Sequence, residues 1–389
     1  MKINGEKLRI ARHLAGYSTT DLAKELGVSK QSLSQYENGV DIKPDIYFKI
    51  LKILNCEKDF LEIPLNDELK IKNTFFRATA KANAVDRKYQ ETKTTLVGQF
   101  YDFFSRYINF PKLNLPDLSD YSSIEEKAFE LRKYWGLGDK PIKNMIRCLE
   151  SNGIIVSTFS IPNKDNENKI DGYTQQFIIK NNNEFSDLYC VIVENDKRSL
   201  ARKNFSLAHE LGHIILHSND DYMEKTKVEQ TQIEKQANEF AAAFLLPKQS
   251  FYKDAKYAKQ LNDFIDLKFK WYVSIGAMML RARELHCINE QEYLRLIKNY
   301  SSRHYKKQEP LDDMFSTYKP ILFKQTLEIM FNNGFTIEEL KKELKDFGLS
   351  MPLEQIEEIL GLDYGFFSKY ESDQDSIVIN LKEYLDNRK

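Results

Sequence analysis

Histidine is scarce in this chain, six among 389 residues, and cysteine is scarcer still. The four cysteines, Cys56, Cys148, Cys190 and Cys287, lie far apart and form no C-x-x-C pair. That argues against a disulfide framework or a cysteine-type zinc site and fits a reducing, cytoplasmic setting. Excess charge is also missing. The net charge is −1, so no global field recruits nucleic acid or a membrane surface, and any nucleic-acid contact must come from a local patch. No apolar run approaches the length of a membrane-spanning helix. The opening "MKINGEKLRIARH" has no apolar core of a signal peptide. Repeats and low-complexity tracts are absent too. What is present is an ordinary globular composition, 42% hydrophobic and 30% charged, in a chain long enough for two or three domains.

Residues 1–62 read as a compact all-helical unit. "KLRIARHLAGY" carries Leu8, Ile10, Ala11, Leu14 and Ala15 at helical spacing. "STTDLAKELG" follows, with Ser18 or Thr19 as N-cap and Gly27 as stop. Then come "VSKQSLSQYENG", capped by Ser29, and "KPDIYFKILKILN", with Pro44 in its first turn. Residues 66–122 are expected to form a helical connector. It holds one long aromatic-striped helix and then "NFPKLNLPDLSDYSS", whose prolines, aspartates and serines read as a linker. Residues 123–250 change character. Two helices, the first with Ser123 and Glu126 placed for a capping box, precede three strand-like runs, "GIIVSTFSI", "TQQFIIK" and "LYCVIVEN", divided by polar turns. Residues 251–300 read as a helical extension. Its "FKWYVSIGAMMLRARELH" faintly repeats a helix–turn–helix layout, although Met and Leu at helical spacing fit core packing better. Residues 301–389 read as a further helical region.

Half of the six histidines fall within nine positions, in "FSLAHELGHIILHSN". On a helix, positions i and i+4 lie about 40° apart, so His209 and His213 reach one ion together. By the same geometry Glu210, about 100° round, sits beside that ion rather than on it and is placed to act as general base. Chance alone produces H-E-x-x-H in such a composition on the order of one percent of the time. The flanking residues are apolar almost all round, which buries the helix and leaves bare imidazoles in need of a partner. Zn2+ suits two imidazoles and needs a third protein ligand. In "IEKQANEFAAAFLLP" the apolar stripe Ala237, Phe240, Ala241, Phe244 and Leu245 contains Glu234 in angle, whereas Glu239 points away. Glu234 is therefore the expected third ligand, and Asn238 one turn on is expected to orient a ligand. The implied chemistry is hydrolysis of a peptide bond, with Glu210 moving the proton. An oxyanion donor is also needed, and Tyr173, Arg202 and His217 are the candidates. For His217, a place near the helix C-terminus is the simpler explanation. The strands before the helix are expected to offer an edge for a substrate to pair with.

"TTDLAKELGVSKQSLSQYENG" has the layout of a helix–turn–helix, with Ala23 small at the crossing and Gly27 in the turn. Val28 and Leu33 face inward. Ser29, Lys30, Gln31, Ser32, Ser34 and Gln35 are left on the outer side of the second helix, where they are placed to read double-stranded DNA. A plain packing unit or protein-binding module is the alternative.

Together, "DLAKELGVSKQSLSQYENG", "RKNFSLAHELGHIILH" and "EKQANEFAAAFLLP" resemble an XRE-type helix–turn–helix regulator fused to an ImmA/IrrE-family zinc metallopeptidase. The resemblance covers about residues 1–62 and 123–295. It implies a mainly α chain with a small α+β zincin-like core at 123–250, an all-α DNA-binding domain and a helical C-terminal region. It implies His209, His213 and Glu234 as ligands and Glu210 as base. It also implies cleavage of a repressor or antitoxin-like protein under stress or in mobile-element control. One departure is Phe244, where the family pattern has an acidic residue. Two other readings stay open: a regulator whose peptidase fold senses or scaffolds, and a proteolytic toxin of a toxin–antitoxin or phage-defence module. A homodimer on two half-sites is expected, and no membrane partner.

Overall fold

A computed structural model describes residues 1–64, 69–76, 84–159, 172–181, 184–194, 199–218 and 225–370. Parts of the expected connector, of the turns between strands and of the loop after the histidine helix lie outside the described residues, as does the C-terminal region from 371. The described residues are mainly helical around one small sheet.

The N-terminal unit is five helices: α1 (Gly5–Leu14), α2 (Thr19–Leu26), α3 (Lys30–Glu37), α4 (Pro44–Leu54) and α5 (Lys58–Glu62). Their ends lie where local chemistry sets them. The Ser18 and Ser29 hydroxyls accept from the backbone N–H of Asp21 and Ser32, and Gly27 ends α2 at φ 71°, a left-handed conformation suited to glycine. Arg12 on α1 grips Glu37 at the end of α3 through two hydrogen bonds of 2.6 and 3.2 Å.

The sheet corrects the expected connector. Residues 69–76 are not helical but form strand β1 (Leu69–Phe76). It pairs antiparallel with β3 (Gly172–Asn181), which pairs antiparallel with β4 (Glu184–Glu194), and β2 (Ile155–Phe159) lies parallel on the far side of β4. The order is β1-β3-β4-β2. "LKIKNTFF" alternates too weakly to stand out alone, and its partner lies a hundred residues away.

Alternation along the strands sends side chains to two cores. Tyr173, Phe177, Cys190 and Ile192 face α6 (Ala84–Ser105), whose Phe100, Phe103 and Phe104 are fully buried. Each such burial contributes roughly 1.5–3 kcal/mol. This core also takes in α1–α5 and the C-terminal helices α15 (Leu322–Asn332), α16 (Ile337–Asp346) and α17 (Leu353–Leu360). The N-terminal helices and α15–α17 thus share one core. On the other face, Tyr189, Val191 and Val193 pack with α7 (Ile124–Tyr134), α8 (Met145–Glu150), α9 (Leu200–His217), α10 (Lys227–Leu245) and the helices up to α14, namely α11 (Lys248–Ala255), α12 (Leu261–Trp271), α13 (Ile275–Glu284) and α14 (Glu290–Ser302).

The capping box of Ser123 and Glu126 is formed. The proline-rich linker is tied down: Trp135 Nε1 donates to Asn114 O, and Asn114 N to Asn152 O. The weak second helix–turn–helix pattern lies on α12 and α13. Its Arg281 is buried, donating to Leu246 O and Glu125, a packing role. Phe244 is buried against Trp135 and Phe240, which explains an apolar residue there. No helix of the described residues is long and apolar enough to cross a membrane.

Candidate metal centre and nucleic-acid interface

Helix α9 starts at Ser199, whose hydroxyl accepts from Arg202 N and donates to Asp312 at 2.7 Å. Asp312 also meets Lys268 at 2.6 Å, and Lys268 meets Glu309 at 2.8 Å, a buried polar cluster that anchors the start of the helix. Further along, Gly212 lets α9 and α10 touch backbone to backbone. A Cβ at Gly212 would lie 3.1 Å from both Cα and O of Ala237. Apolar residues on both sides of that crossing supply the packing.

The close crossing brings His209 and His213 of α9 against Glu234 of α10. His209 Nε2 lies 3.3 Å from Glu234 Oε2, and His213 Nε2 lies 3.6 Å from Glu234 Oε1. The two Nε2 atoms are 3.0 Å apart. One ligand atom from each residue falls within 4.8 Å of the others. Both imidazoles are 1% exposed and the Glu234 side chain 22%, so the cluster is nearly closed and Glu234 is its most exposed member. Two imidazole nitrogens and a carboxylate are the donor set of a catalytic zinc site, which keeps a further position for water. The residues therefore fit the ion.

Asn238 lies on α10 one turn after Glu234, and its Oδ1 is 3.0 Å from His209 Nδ1. Glu210, also 1% exposed, faces the sheet instead, where Oε2 accepts from the Thr174 hydroxyl at 2.7 Å. Gly172 on the same strand leaves room at the other oxygen, since a Cβ there would sit 3.3 Å from Glu210 Oε1. Sequence reading did not find Thr174 and Gly172. A polar residue in a strand run is a weak hint, and nothing local says which strand crosses over α9.

The three candidate oxyanion donors part company. Tyr173 points to the opposite face of β3, where it donates to Gln90 O at 2.7 Å and meets Thr94 Oγ1; burial holds its phenol protonated. The period-two alternation of a strand that puts Thr174 on Glu210 turns Tyr173 away. Arg202 lies seven residues before His209, about 10 Å along the helix. It donates to Lys306 O and Lys307 O at 2.8 and 3.1 Å. His217 is buried with its ring 5.6 Å from that of His213, so it alone of the three adjoins the cluster. Of the expected substrate edge, β3 beside Glu210 is paired on both sides, with Phe75 opposite Thr174 and Phe76 opposite Tyr173, and the edge strands of the sheet are β1 and β2.

On α3, Leu33 is fully buried, while Ser29, Lys30, Gln31, Ser34 and Gln35 are exposed and Ser32 is half-buried. The hydroxyls of Ser29 and Ser32 lie 2.9 Å apart within the N-cap. Lys30, Gln31, Ser34 and Gln35 are left as the outward array.

A helix–turn–helix unit with an outward polar helix, joined to a buried H-E-x-x-H helix under a mixed sheet, is the layout of a helix–turn–helix regulator joined to a metallopeptidase-type core. Comparison with known sequences agrees on both counts. Residues 8–61 match the helix–turn–helix family of XRE type, and residues 154–283 match the IrrE N-terminal-like domain. An HTH-type transcriptional regulatory protein of Picrophilus torridus is 31% identical over 108 residues, 27% of this chain and 32% of that protein. Another, of Pyrococcus furiosus, is 54% identical over 39 residues, 10% of this chain and 12% of that protein. The chain thus spans about a third of the length of the first of these curated relatives and less of the second.

Proposed function

We propose that the chain is a zinc-dependent endopeptidase carrying its own DNA-reading domain, and that it cleaves a repressor or antitoxin-like DNA-binding protein to change gene expression. One observation carries the reading: His209, His213 and Glu234 converge while Glu210, on the same helix, is buried beside them with its carboxylate held by Thr174. A scaffold has no need of that fourth residue.

His209, His213 and Glu234 would hold the ion. When bound, zinc supplies Lewis acidity, polarising a peptide carbonyl and acidifying a water. Glu210 takes the proton from the attacking water and passes it to the leaving amine. The Thr174 hydroxyl fixes one Glu210 oxygen and so leaves the other for that transfer. Asn238 holds the His209 ring in orientation from its far nitrogen. His217 is the nearest of the named groups for a developing oxyanion.

A regulator that uses the same fold as a sensor is the second reading. It is favoured by the relatives, both named as transcriptional regulatory proteins. A proteolytic toxin is a third, distinguished by an antitoxin-like substrate. In each case a cytoplasmic protein, dimeric on double-stranded DNA, fits four cysteines without a disulfide and the exposed array on α3. The test compares new protein N-termini in cells expressing wild type or Glu210→Gln. A small set of cuts found only with wild type, in a DNA-binding protein, supports the peptidase and names its substrate. No difference under several stresses moves the assignment to the sensor.

A further inference from the structure

Away from the histidines, a cavity of about 180 Å³ lies where the DNA-reading unit meets the rest of the chain. Its walls come from α1, α4 and α5 on one side and from α6, α17 and the segment before α17 on the other, and it opens to solvent. That volume slightly exceeds a cavity of about 150 Å³ that accepts benzene, so it suits a ligand of roughly six to nine non-hydrogen atoms. Much of the lining is apolar, including Leu14, Ile53, Leu54 and Ile359.

The polar part is unusual. Lys93 of α6 lines the cavity and is only 5% exposed. Among the described residues no hydrogen bond or ion pair within 4 Å reaches its ammonium. Burial pushes its pKa down, and the Glu358 carboxylate opposes that shift. Glu358 and Glu57 line the same space and are already engaged: Tyr89 donates to Glu358 Oε1 at 2.8 Å, and Ser350 donates to Glu57. An ammonium taken from water without an acceptor is costly and calls for an anionic group. A simple anion, however, would enter a space that also holds two carboxylates. A ligand with both charges meets both groups, one end on the buried Lys93 and the other on Glu358, which is exposed to solvent beside it.

We propose that this cavity binds a small zwitterion, an α-amino acid with an apolar side chain. Its carboxylate meets Lys93, its ammonium meets Glu358, and its side chain lies on Leu14 and Leu54. The bound molecule bridges the DNA-reading helices and the body of the chain. The site is independent of the metal centre, on the opposite side of the sheet.

The test is calorimetric titration of the full chain with L-valine, L-leucine and L-isoleucine, beside 4-methylpentanoate and 3-methylbutylamine. Saturable binding of an amino acid at least tenfold tighter than either half-molecule, weakened at least tenfold by Lys93→Met and by Glu358→Gln, is the expected result. Lys93→Met removes a buried charge, so its melting temperature without ligand should not fall. If that variant fails to fold, Leu14→Trp, which fills the cavity from its half-buried wall, decides in its place by losing binding. Equal binding of the carboxylate alone overturns the zwitterion. Binding by none of the probes, or binding indifferent to Lys93 and to Leu14, overturns the site.

Discussion

Helices α9 and α3 carry the two chemistries proposed for this chain, and they carry them in opposite ways. In α9, His209, Glu210 and His213 are each 1% exposed, and every one is held by a residue from another element. In α3, the side chains that matter face solvent, and only Leu33 and Glu37 are buried. A buried polar constellation is stable only while its partners stay in place, because an orphaned buried group costs about 1–3 kcal/mol or more. An exposed array has no such debt. It depends on the angle at which its helix is presented, which Arg12 fixes through Glu37. Damage to α9 should therefore act through geometry and damage to α3 through contact alone.

The largest separation should come from Glu234→Ala. It removes the one ligand that α10 supplies, and the zinc content of purified protein should fall from about one per chain to near zero. Affinity for operator DNA should stay within about twofold. Asn238→Ala should be milder, weakening metal affinity by about 10–100-fold as losses of orienting partners do. Metal content unchanged in Glu234→Ala would remove the ligand assignment.

A matched pair of glycine variants tests the same contrast at the level of packing. A Cβ at Gly5 would sit 2.3 Å from the Glu37 carbonyl oxygen, so Gly5→Ala must push α1 away from α3. A Cβ at Gly212 meets Ala237 backbone at 3.1 Å, so Gly212→Ala must open the α9–α10 crossing by a few tenths of an ångström. Overpacking of this kind costs about 1–3 kcal/mol, with Gly5 at the upper end. DNA affinity should fall in the first variant with zinc retained, and zinc affinity in the second with DNA binding retained. Parallel loss of both activities in either variant would show that the two halves do not act separately.

Much of this was readable from the sequence because it rests on local periodicity. Two histidines four apart, a glutamate between them, and serines and glycines at helix ends act within one or two turns. The position of Glu234 followed from the angle it shares with the apolar stripe of its own helix. What stayed hidden is non-local. β1 needs a strand about a hundred residues away to exist as sheet. Thr174 meets Glu210 only because β3 crosses α9. Tyr173 was a reasonable donor by type, and strand parity turned it to the other core. The sharing of one core by α1–α5 and α15–α17 joins residues some three hundred positions apart, beyond the reach of any window.

On α3 the expected effects are smaller and selective. Gln31→Ala and Gln35→Ala should each cost about 1–3 kcal/mol of specific binding if the glutamine reads a base edge bidentately. Lys30→Ala, as a phosphate contact, should weaken all sequences alike and lower the salt slope by about one. Footprinting and salt titration separate the two. An unchanged footprint in Gln31→Ala with Gln35→Ala combined would take α3 out of the groove.

The joint between the regions supplies an effect on stability alone, outside both metal and DNA binding. Lys7 of α1 is 1% exposed, donates to Gly348 O ahead of α17, and lies 4.2 Å from the Phe60 ring centroid. Burial lowers its pKa to about 7, against a weaker opposing effect of Glu6. In the unfolded chain the same lysine titrates near its ordinary value of about 10.4. Between these limits the folded chain carries Lys7 neutral while the unfolded chain binds a proton there, so unfolding takes up a proton and stability rises with pH. The Gly348 carbonyl and the Phe60 face both favour the ammonium, which moves the lower end of the window upward but not its direction. Wild type should therefore gain melting temperature relative to Lys7→Met as pH is raised from 7 to 10, with Lys93 and the other lysines cancelling in the difference. A gap that is constant across that range would mean that Lys7 keeps its proton in the folded chain, and that carbonyl and ring together outweigh its burial.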